Sequence, residues 1–261
     1  MTVSERERGA GSSTLPCKPD GRRGPQGPAP CSLLPLLAPV LALLLAAGPL
    51  PAQVGHDPAH SPYRDVKRGA GFQLIGGYLA GDRGRVDVGL AEIQTILGRY
   101  ELALGAPTRL ALELGYGQGN RFVLDPREDS TSQRTGPVDD DVFFVSAALQ
   151  LMLTGRKTWR GFAPYIGGAA GLALGAAEPE DPGGYDFGTK FTVAPFVGLR
   201  WYPAARFHVS GEARLQFWKL SYPTSYQVPG PDGRPILPPL EDALTEWVSG
   251  PWYRLGLGWT F

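Results

Sequence analysis

The sequence predicts an all-β fold: one eight-stranded antiparallel up-and-down barrel that spans a membrane, with short turns at one end and longer loops at the other. Three observations support this prediction. Residues 251–261 alternate between bulky apolar and small or polar side chains and stop on an aromatic residue. Eight segments alternate in this way from Gly71 onward, and the gaps between them are alternately short and long. Their apolar rows suit lipid, and the opposite rows of Gly, Ala and charges suit a narrow interior.

Composition agrees with a chain of strands and turns. The 261 residues include 36 Gly and 26 Pro, which favour turns over long helices. The formal charge is zero, and no basic stripe indicates nucleic acid. The two cysteines, Cys17 and Cys31, precede the apolar run of a leader that we expect to be removed with them, so the mature chain lacks disulfide and thiol chemistry.

Residues 1–52 are predicted to be a signal peptide or leader. The apolar run from Leu33 to Ala47 contains two prolines and is shorter than the roughly twenty residues of a membrane span. Basic residues precede it and small residues follow it, which is typical of a secretory signal. We expect cleavage after Ala52, with Ala47 as the alternative. Cys31 precedes the apolar run, which argues against a lipoprotein anchor.

Residues 53–68 are predicted to be a polar periplasmic lead-in. His56 and His60 lie near Asp57, but histidines in a flexible tail are more often solvated than metal-bound. We therefore predict neither a metal site nor a cofactor.

Residues 69–261 are predicted to form the barrel. The eight predicted strands are Gly71–Leu79, Thr95–Gly105, Thr108–Gly117, Asp141–Leu153, Ala163–Gly175, Lys190–Tyr202, Phe207–Leu220 and Trp252–Phe261. Gaps two, four and six are short, and the others are longer. An even strand count with short periplasmic turns and longer extracellular loops is typical of an outer-membrane barrel. A secreted sandwich or lipocalin-like barrel also alternates, but nothing in its architecture segregates loop lengths.

The inward rows contain most of the strand charges. In the third strand, Leu110, Leu112 and Leu114 oppose Ala111 and Glu113. A lipocalin would place the apolar row inside, whereas lipid places it outside. The predicted lumen charge network comprises Arg99, Glu101, Glu113, Arg200, Glu212, Arg214 and Arg254. Four Arg and three Glu nearly neutralise one another, which predicts a plugged lumen.

Three local features carry further expectations. Pro195 lies within the sixth strand and cannot donate a ladder hydrogen bond, so we expect a bulge or a locally lost bond there. The carboxylates around Asp125–Asp129, Asp139–Asp141 and Glu178–Asp186 match no calcium loop and are expected to be solvated. The segment Leu240–Val248 is compatible with one short helix.

The final strand resembles the C-terminal signal of bacterial outer-membrane barrels. Its apolar row is Tyr253, Leu255, Leu257, Trp259 and Phe261. An ordinary soluble edge strand is the alternative. The resemblance implies that the barrel-assembly machinery reads this strand during biogenesis.

The charged inner row is similar to the salt-bridge networks of the small OmpA-like barrels, over about residues 69–261. This resemblance implies a bacterial outer-membrane location and contacts with outer-membrane lipid and lipopolysaccharide. It fits a monomer with a non-enzymatic structural or surface-interaction role. The alternatives are a narrow pore for small solutes, a lipid A-modifying enzyme and a secreted lipocalin-like ligand-binding barrel.

One group of residues on the seventh predicted strand is a candidate for catalysis. His208 and Ser210 resemble the His-x-Ser of an outer-membrane lipid A deacylase family, and Glu212 follows on the same face. That face is the lumen, and His208 lies just after a short turn, far from an outer-leaflet ester. We therefore predict no catalytic residues.

Overall fold

The computed structural model describes residues 61–66, 69–176 and 181–261. The predicted signal peptide and most of the predicted lead-in lie outside these residues. The strands are β1 (Tyr63–Asp65), β2 (Gly71–Leu79), β3 (Ala91–Ala103), β4 (Thr108–Leu124), β5 (Arg134–Met152), β6 (Lys157–Trp159), β7 (Phe162–Gly175), β8 (Thr189–Trp201), β9 (Phe207–Ser221) and β10 (Thr245–Thr260).

Eight of these strands close into an antiparallel barrel, which confirms the predicted fold class. Neighbours in sequence pair in turn from β2 through β5, β7, β8 and β9 to β10. The last strand closes on the first: Thr260 pairs with Gly71, and Trp252 pairs with Leu79. Closure leaves no sheet edge among the eight strands, as a barrel in lipid requires.

The strands are longer than predicted at the end that contains the long loops, here called the long-loop end. β4 and β5 continue to Leu124 and Arg134, and β10 begins at Thr245. The outward row becomes polar there, with Gln118 opposite Asp141. The apolar pattern that defines a lipid-facing strand therefore stops before the backbone pairing does.

Bulky apolar side chains face outward and form a continuous band. On β5 this row runs from Phe143 to Leu153, which spans about 34 Å along the strand at about 3.4 Å per residue. With a strand tilt of about 35–45°, the band is about 25 Å tall, which matches the apolar band of outer-membrane barrels. Aromatic residues lie near both margins, including Tyr116 and Phe191 at one and Trp201 and Trp259 at the other. Such residues suit the two membrane interfaces.

The opposite end, here called the short-turn end, contains an element that the sequence did not predict. Strand β1 pairs with β6 in the turn between β5 and β7, with Arg64 opposite Thr158. The Thr158 hydroxyl also donates to the carbonyl of Arg64 (3.2 Å). Three-residue strands carry no readable alternation, so the pattern could not reveal them.

Pro195 interrupts a ladder without shifting its register. On β8, Val193 pairs with Phe217 and Phe196 pairs with Arg214, but Ala194 and Pro195 are unpaired with β9. Pro195 keeps its position opposite Gly168 of β7. The structure thus has the locally lost pairing and not the bulge.

The last long loop contains two short 3₁₀ turns, Thr224–Gln227 and Glu241–Leu244. The short helix considered for Leu240–Val248 is therefore wrong beyond Leu244. Thr245 to Val248 instead pair with β9, from Ser221 to Trp218, because strand pairing satisfies their backbone groups. No helical segment in the described part of the chain is long and apolar enough to cross a membrane.

Candidate functional site

The interior of the barrel contains the most concentrated chemistry of the fold. The structure places all seven residues of the predicted lumen network inside, each less than a tenth exposed. They form two connected groups, here called the Arg99 cluster and the Glu101 cluster.

The Arg99 cluster comprises Arg99, Glu113, Glu212, Arg214 and Arg254. Arg99 donates from Nε to Glu113 (2.7 Å) and from Nη2 to both carboxylate oxygens of Glu212 (3.0 Å each). Arg214 bridges the same two carboxylates at 2.7 and 2.5 Å. Arg254 Nη1 reaches them at 3.2 and 3.3 Å. Two carboxylates are thus shared among three guanidinium groups from β3, β9 and β10.

The Glu101 cluster comprises Glu101, Arg200, Gln73, Gln150 and Arg109. Arg200 binds Glu101 with two nitrogens, at 2.8 and 2.5 Å. The amides of Gln73 and Gln150 also donate to Glu101, at 3.1 and 3.2 Å. Arg109 Nη1 lies 3.6 Å from Glu101 Oε2, which is an ion pair without a hydrogen bond.

Aromatic rings cover the faces of the buried guanidinium groups. The ring pairs are Tyr165 with Arg200 (4.9 Å), Phe196 with Arg214 (4.6 Å) and Trp252 with Arg254 (4.5 Å). The Tyr165 hydroxyl also donates to Glu212 (3.0 Å). Gly198 makes room for this ring, since a Cβ there would lie 2.3 Å from Tyr165 Cζ. The small residues of the inward row therefore admit the large ones.

The charged interior is solidly filled. Two cavities within the described part of the barrel have volumes of about 30 and 10 Å³. A water molecule needs roughly 10–15 Å³ by this measure, so these spaces hold isolated waters and not a continuous aqueous path. The geometry is that of a plug held by ion pairs.

Above the plug, the long loops fold over the barrel and close its mouth. Their buried apolar side chains, here called the loop cap, are Val88, Leu90, Tyr185, Phe187, Tyr222, Tyr226 and Leu237. They pack on inward residues of the upper strands, as in the edge-to-face contact of Phe187 with Trp218 (5.9 Å). The interior at the long-loop end is therefore mainly apolar, and the Arg99 and Glu101 clusters lie below it.

Arg121 ties the loop cap to the barrel wall. Its guanidinium donates to Asp140 of β5 (3.0 Å) and to Asp181 of the third long loop (2.8 Å), and it lies over the ring of Tyr185. The prediction of solvated loop carboxylates is thus wrong for Asp140 and Asp181. Arg121 lies on β4 four residues beyond the predicted strand end, so the sequence analysis did not identify it as the partner of these carboxylates. Glu178 and Glu180 lie outside the described residues.

A second tie joins the first and last long loops. Glu246 accepts hydrogen bonds from the backbone N–H and Nε of Arg85, at 2.7 and 3.0 Å, and from the hydroxyl of Tyr222. Burial, followed by this hydrogen bond, raises the pKa of Tyr222. Burial likewise raises the pKa values of Tyr185 and Tyr226. The loop cap therefore depends on neutral tyrosines.

His208 and Ser210 lie inside the barrel and are joined through Gln73. The Gln73 amide donates to His208 Nε2 (2.8 Å), and Ser210 Oγ donates to Gln73 Oε1 (3.3 Å). Glu212 belongs to the Arg99 cluster instead. The amide that separates Ser210 from His208 gives the hydroxyl no base, and neither group faces a space that could hold an acyl chain.

Metal binding has no candidate in the described part of the chain. No three His, Cys, Asp or Glu side chains there are placed to hold an ion. His56 and His60 lie outside that part.

The C-terminal row lies on the outer face of β10. Tyr253, Leu255, Leu257, Trp259 and Phe261 are all exposed on the apolar band. The backbone N–H of Phe261 donates to the carbonyl of Ala70 (2.9 Å), so pairing with the start of β2 continues to the last residue.

Four residues of the site were not in the predicted network. Gln73, Gln150 and Arg109 have the parity of the inward row, but the two glutamines are uncharged and Arg109 is the second residue of its strand. Tyr165 is an aromatic residue on the polar side. Parity extended to the first two residues of each strand would have found Arg109.

Comparisons with solved structures give matches at low sequence identity. Neisserial surface protein A aligns with 10% identity and a TM-score of 0.45, over 77% of this chain and 98% of the other. The outer-membrane protein OprG from Pseudomonas aeruginosa aligns with 12% identity and a TM-score of 0.47, over 76% and 98%. The outer-membrane protein AlkL, solved in DMPC bilayers, aligns with 14% identity and a TM-score of 0.40, over 80% and 97%. No family model and no curated protein matches the sequence.

Proposed function

We propose that this chain is a bacterial outer-membrane β-barrel with a non-enzymatic structural or surface-interaction role. The observation that carries the proposal is the outward apolar band around a closed barrel. A soluble lipocalin-like barrel has the opposite arrangement, because its apolar face lines the ligand cavity. Such a band requires lipid around it, and we propose that outer-membrane lipid and lipopolysaccharide provide it.

The interior favours a structural role and not a pore. A pore needs a continuous aqueous path, whereas here Arg99 and Arg200 bridge the lumen by hydrogen bonds to carboxylates of other strands. The loop cap adds an apolar closure at the long-loop end. We therefore propose that the closed conformation does not conduct ions.

The same interior supports a non-enzymatic role. The Ser210 hydroxyl is buried and hydrogen-bonded to an amide, so it has neither an activating base nor access for substrate. A lipid A-modifying enzyme would need such a group at the height of the outer-leaflet esters.

A surface-interaction role is supported by the long-loop end. The β4–β5 hairpin extends beyond the apolar band, and its tip, Asp125 to Gln133, contains exposed carboxylates. Val228 of the last loop lies beside this tip, around one surface pocket with Pro126 and Arg127, and it is exposed, as is Leu240 of the same loop. Such a mixed surface on rigid strands can contact a partner outside the cell.

Cell fractionation tests the location, and site-directed labelling tests the orientation. We expect the chain in the outer-membrane fraction, with faster gel migration before heating than after it. With no cysteine beyond Cys31, single cysteines are specific reporters. Asp232→Cys should react with an impermeant maleimide on intact cells, and Arg156→Cys, the matched control at the short-turn end, should react only after lysis. Recovery of soluble chain from the periplasm or the medium would contradict the proposal.

Purified protein in planar bilayers tests the closed lumen. We expect no unitary conductance above the bare-bilayer background. Steady ion conductance by the folded wild-type chain would favour the narrow pore instead.

A further inference from the structure

The charged part of the lumen has more positive than negative side chains. Arg109 is buried and belongs to the Glu101 cluster, so the described residues there contribute five guanidinium groups and three carboxylates. The five are Arg99, Arg109, Arg200, Arg214 and Arg254, and the three are Glu101, Glu113 and Glu212. His208 adds no charge, because its Nε2 accepts the hydrogen bond from Gln73 and so carries no proton. An excess of two positive charges in a desolvated interior requires a counterion.

The unsatisfied donors show where a counterion can bind. In the charged lumen, Arg200 Nε and Arg254 Nε and Nη2 lack a hydrogen-bond partner among the described residues, but neither residue lines one of the two internal cavities. Arg109 Nη1 and the Tyr202 hydroxyl are also buried and have no such partner. Arg109 and Tyr202 line the cavity of about 30 Å³ at the short-turn end, between the β3–β4 turn and the β5–β7 connection. By the volume that one water requires, this cavity accepts about two oxygen atoms.

Further positive charge surrounds this cavity. Arg156 and Lys157 line it and are exposed to solvent, so an anion can enter from the short-turn end. The exposed side chains at this end include five cations and one carboxylate among the described residues: Arg64, Arg156, Lys157, Arg160, Arg206 and Asp65. Glu101, the nearest carboxylate inside, is already bound at both oxygens by Arg200.

We propose that this cavity is a phosphate-binding site, occupied either by inorganic phosphate or by the phosphate of a lipid headgroup in the adjacent leaflet. Two oxygens of the phosphate enter the cavity and accept hydrogen bonds from Arg109 Nη1 and Tyr202 Oη. The remaining oxygens face Arg156 and Lys157 at the mouth. Inorganic phosphate carries about −1.5 to −2 charges at neutral pH, which matches the excess of two, whereas the phosphodiester of a lipid headgroup carries one negative charge and offsets half of that excess. Guanidinium and ammonium groups are the usual protein ligands of phosphate.

Calorimetry and phosphorus NMR on the full chain, purified in phosphate-free detergent, test this site. We expect inorganic phosphate to bind at one site and Arg109→Gln to weaken its affinity about ten-fold, since a charge-assisted hydrogen bond is lost. Tyr202→Phe retains the ring that packs at a tilt against His208 and loses only the hydroxyl. It should weaken binding by roughly three- to ten-fold and keeps the test valid if Arg109→Gln fails to fold.

Arg206→Gln is the matched control, because it removes an exposed cation at the same end without lining the cavity. Its affinity for phosphate should stay within about two-fold of wild type. The source of the phosphate is decided in nanodiscs: phosphatidylglycerol that displaces inorganic phosphate identifies the lipid, and failure to displace it identifies the free ion. No binding by the wild-type chain, or equal weakening by Arg206→Gln and Arg109→Gln, would overturn the site.

Discussion

The strongest test of the plugged lumen compares two variants of one buried ion pair. The first variant lacks only the carboxylate, and the second lacks both charged partners. Glu101→Gln removes the carboxylate that Arg200 binds at 2.8 and 2.5 Å, and both side chains are fully buried. The lumen then has five guanidinium groups and two carboxylates. Leaving a buried charge without its partner costs about 3–5 kcal/mol, so the free energy of unfolding should fall by that amount.

The double variant Glu101→Gln/Arg200→Gln restores the original excess of two positive charges. Its amides can still hydrogen-bond to one another and to Gln150, so we expect a loss of only about 1–2 kcal/mol. The measurement is denaturant-induced unfolding in lipid vesicles, followed by tryptophan fluorescence. Glu241→Gln, on the exposed loop surface, is the control and should change stability by less than about 0.5 kcal/mol. If the double variant is as unstable as Glu101→Gln or less stable, charge pairing does not hold the plug.

Four further outcomes are expected. Deleting Phe261 removes the backbone bond to Ala70 and the last residue of the outer row, so folded, heat-modifiable protein should be lost while export continues; normal levels would refute a role for this residue in assembly. Cysteines at Leu112 and Val145 should accept a lipid-phase label, whereas cysteines at Glu212 and Arg254 should resist lipid-soluble and aqueous reagents alike, and reversed labelling would mean that the apolar row faces inward. Ser210→Ala and His208→Ala should leave the lipid A profile of the cell unchanged. Ser210→Ala should cost about 1 kcal/mol of stability, because the hydrogen bonds of the hydroxyl are long. Loss of a deacylated lipid A species with the barrel still folded would assign catalysis to this strand. Burial raises the pKa values of Tyr185, Tyr222 and Tyr226. The stability that their neutral forms contribute is therefore complete below the ordinary tyrosine value near 10 and is lost as pH rises through the raised values. Proteolysis of the last long loop should accelerate only at alkaline pH, and an acceleration on acidification alone would contradict this.

The strand pattern predicted the barrel because lipid imposes one rule on every strand. Each outward position inside the band must be apolar, so alternation is readable from Gly71 to Leu79 and the bounds of β2 match the prediction. Beyond the band this rule ends. β5 begins seven residues before the predicted Asp141, where Arg134 to Asp140 pair with β4 without an apolar row. Pairing there depends on the neighbouring strand, which a local pattern does not contain.

The pairing of the lumen charges could not be read from the chain. Parity predicts that Arg99 and Glu212 face inward, but they meet across the barrel from β3 and β9, 113 residues apart in sequence. Which carboxylate each guanidinium meets depends on strand register and barrel radius. The loop cap depends even more on tertiary packing, because Tyr185 and Tyr226 are buried only when two separate loops fold over the same mouth.

The charge balance of the interior changes with a single residue near a strand end. Counting only mid-strand charges gives four Arg and three Glu, which is nearly neutral. Arg109 is the second residue after the β3–β4 turn, yet it is 8% exposed, because Val66 and the β5–β7 connection lie around the same small cavity. Segments too short to show a pattern thus help to bury a fifth guanidinium. The same covering shields the cavity that Arg109 and Tyr202 line, so the counterion requirement and the proposed phosphate site have one structural cause.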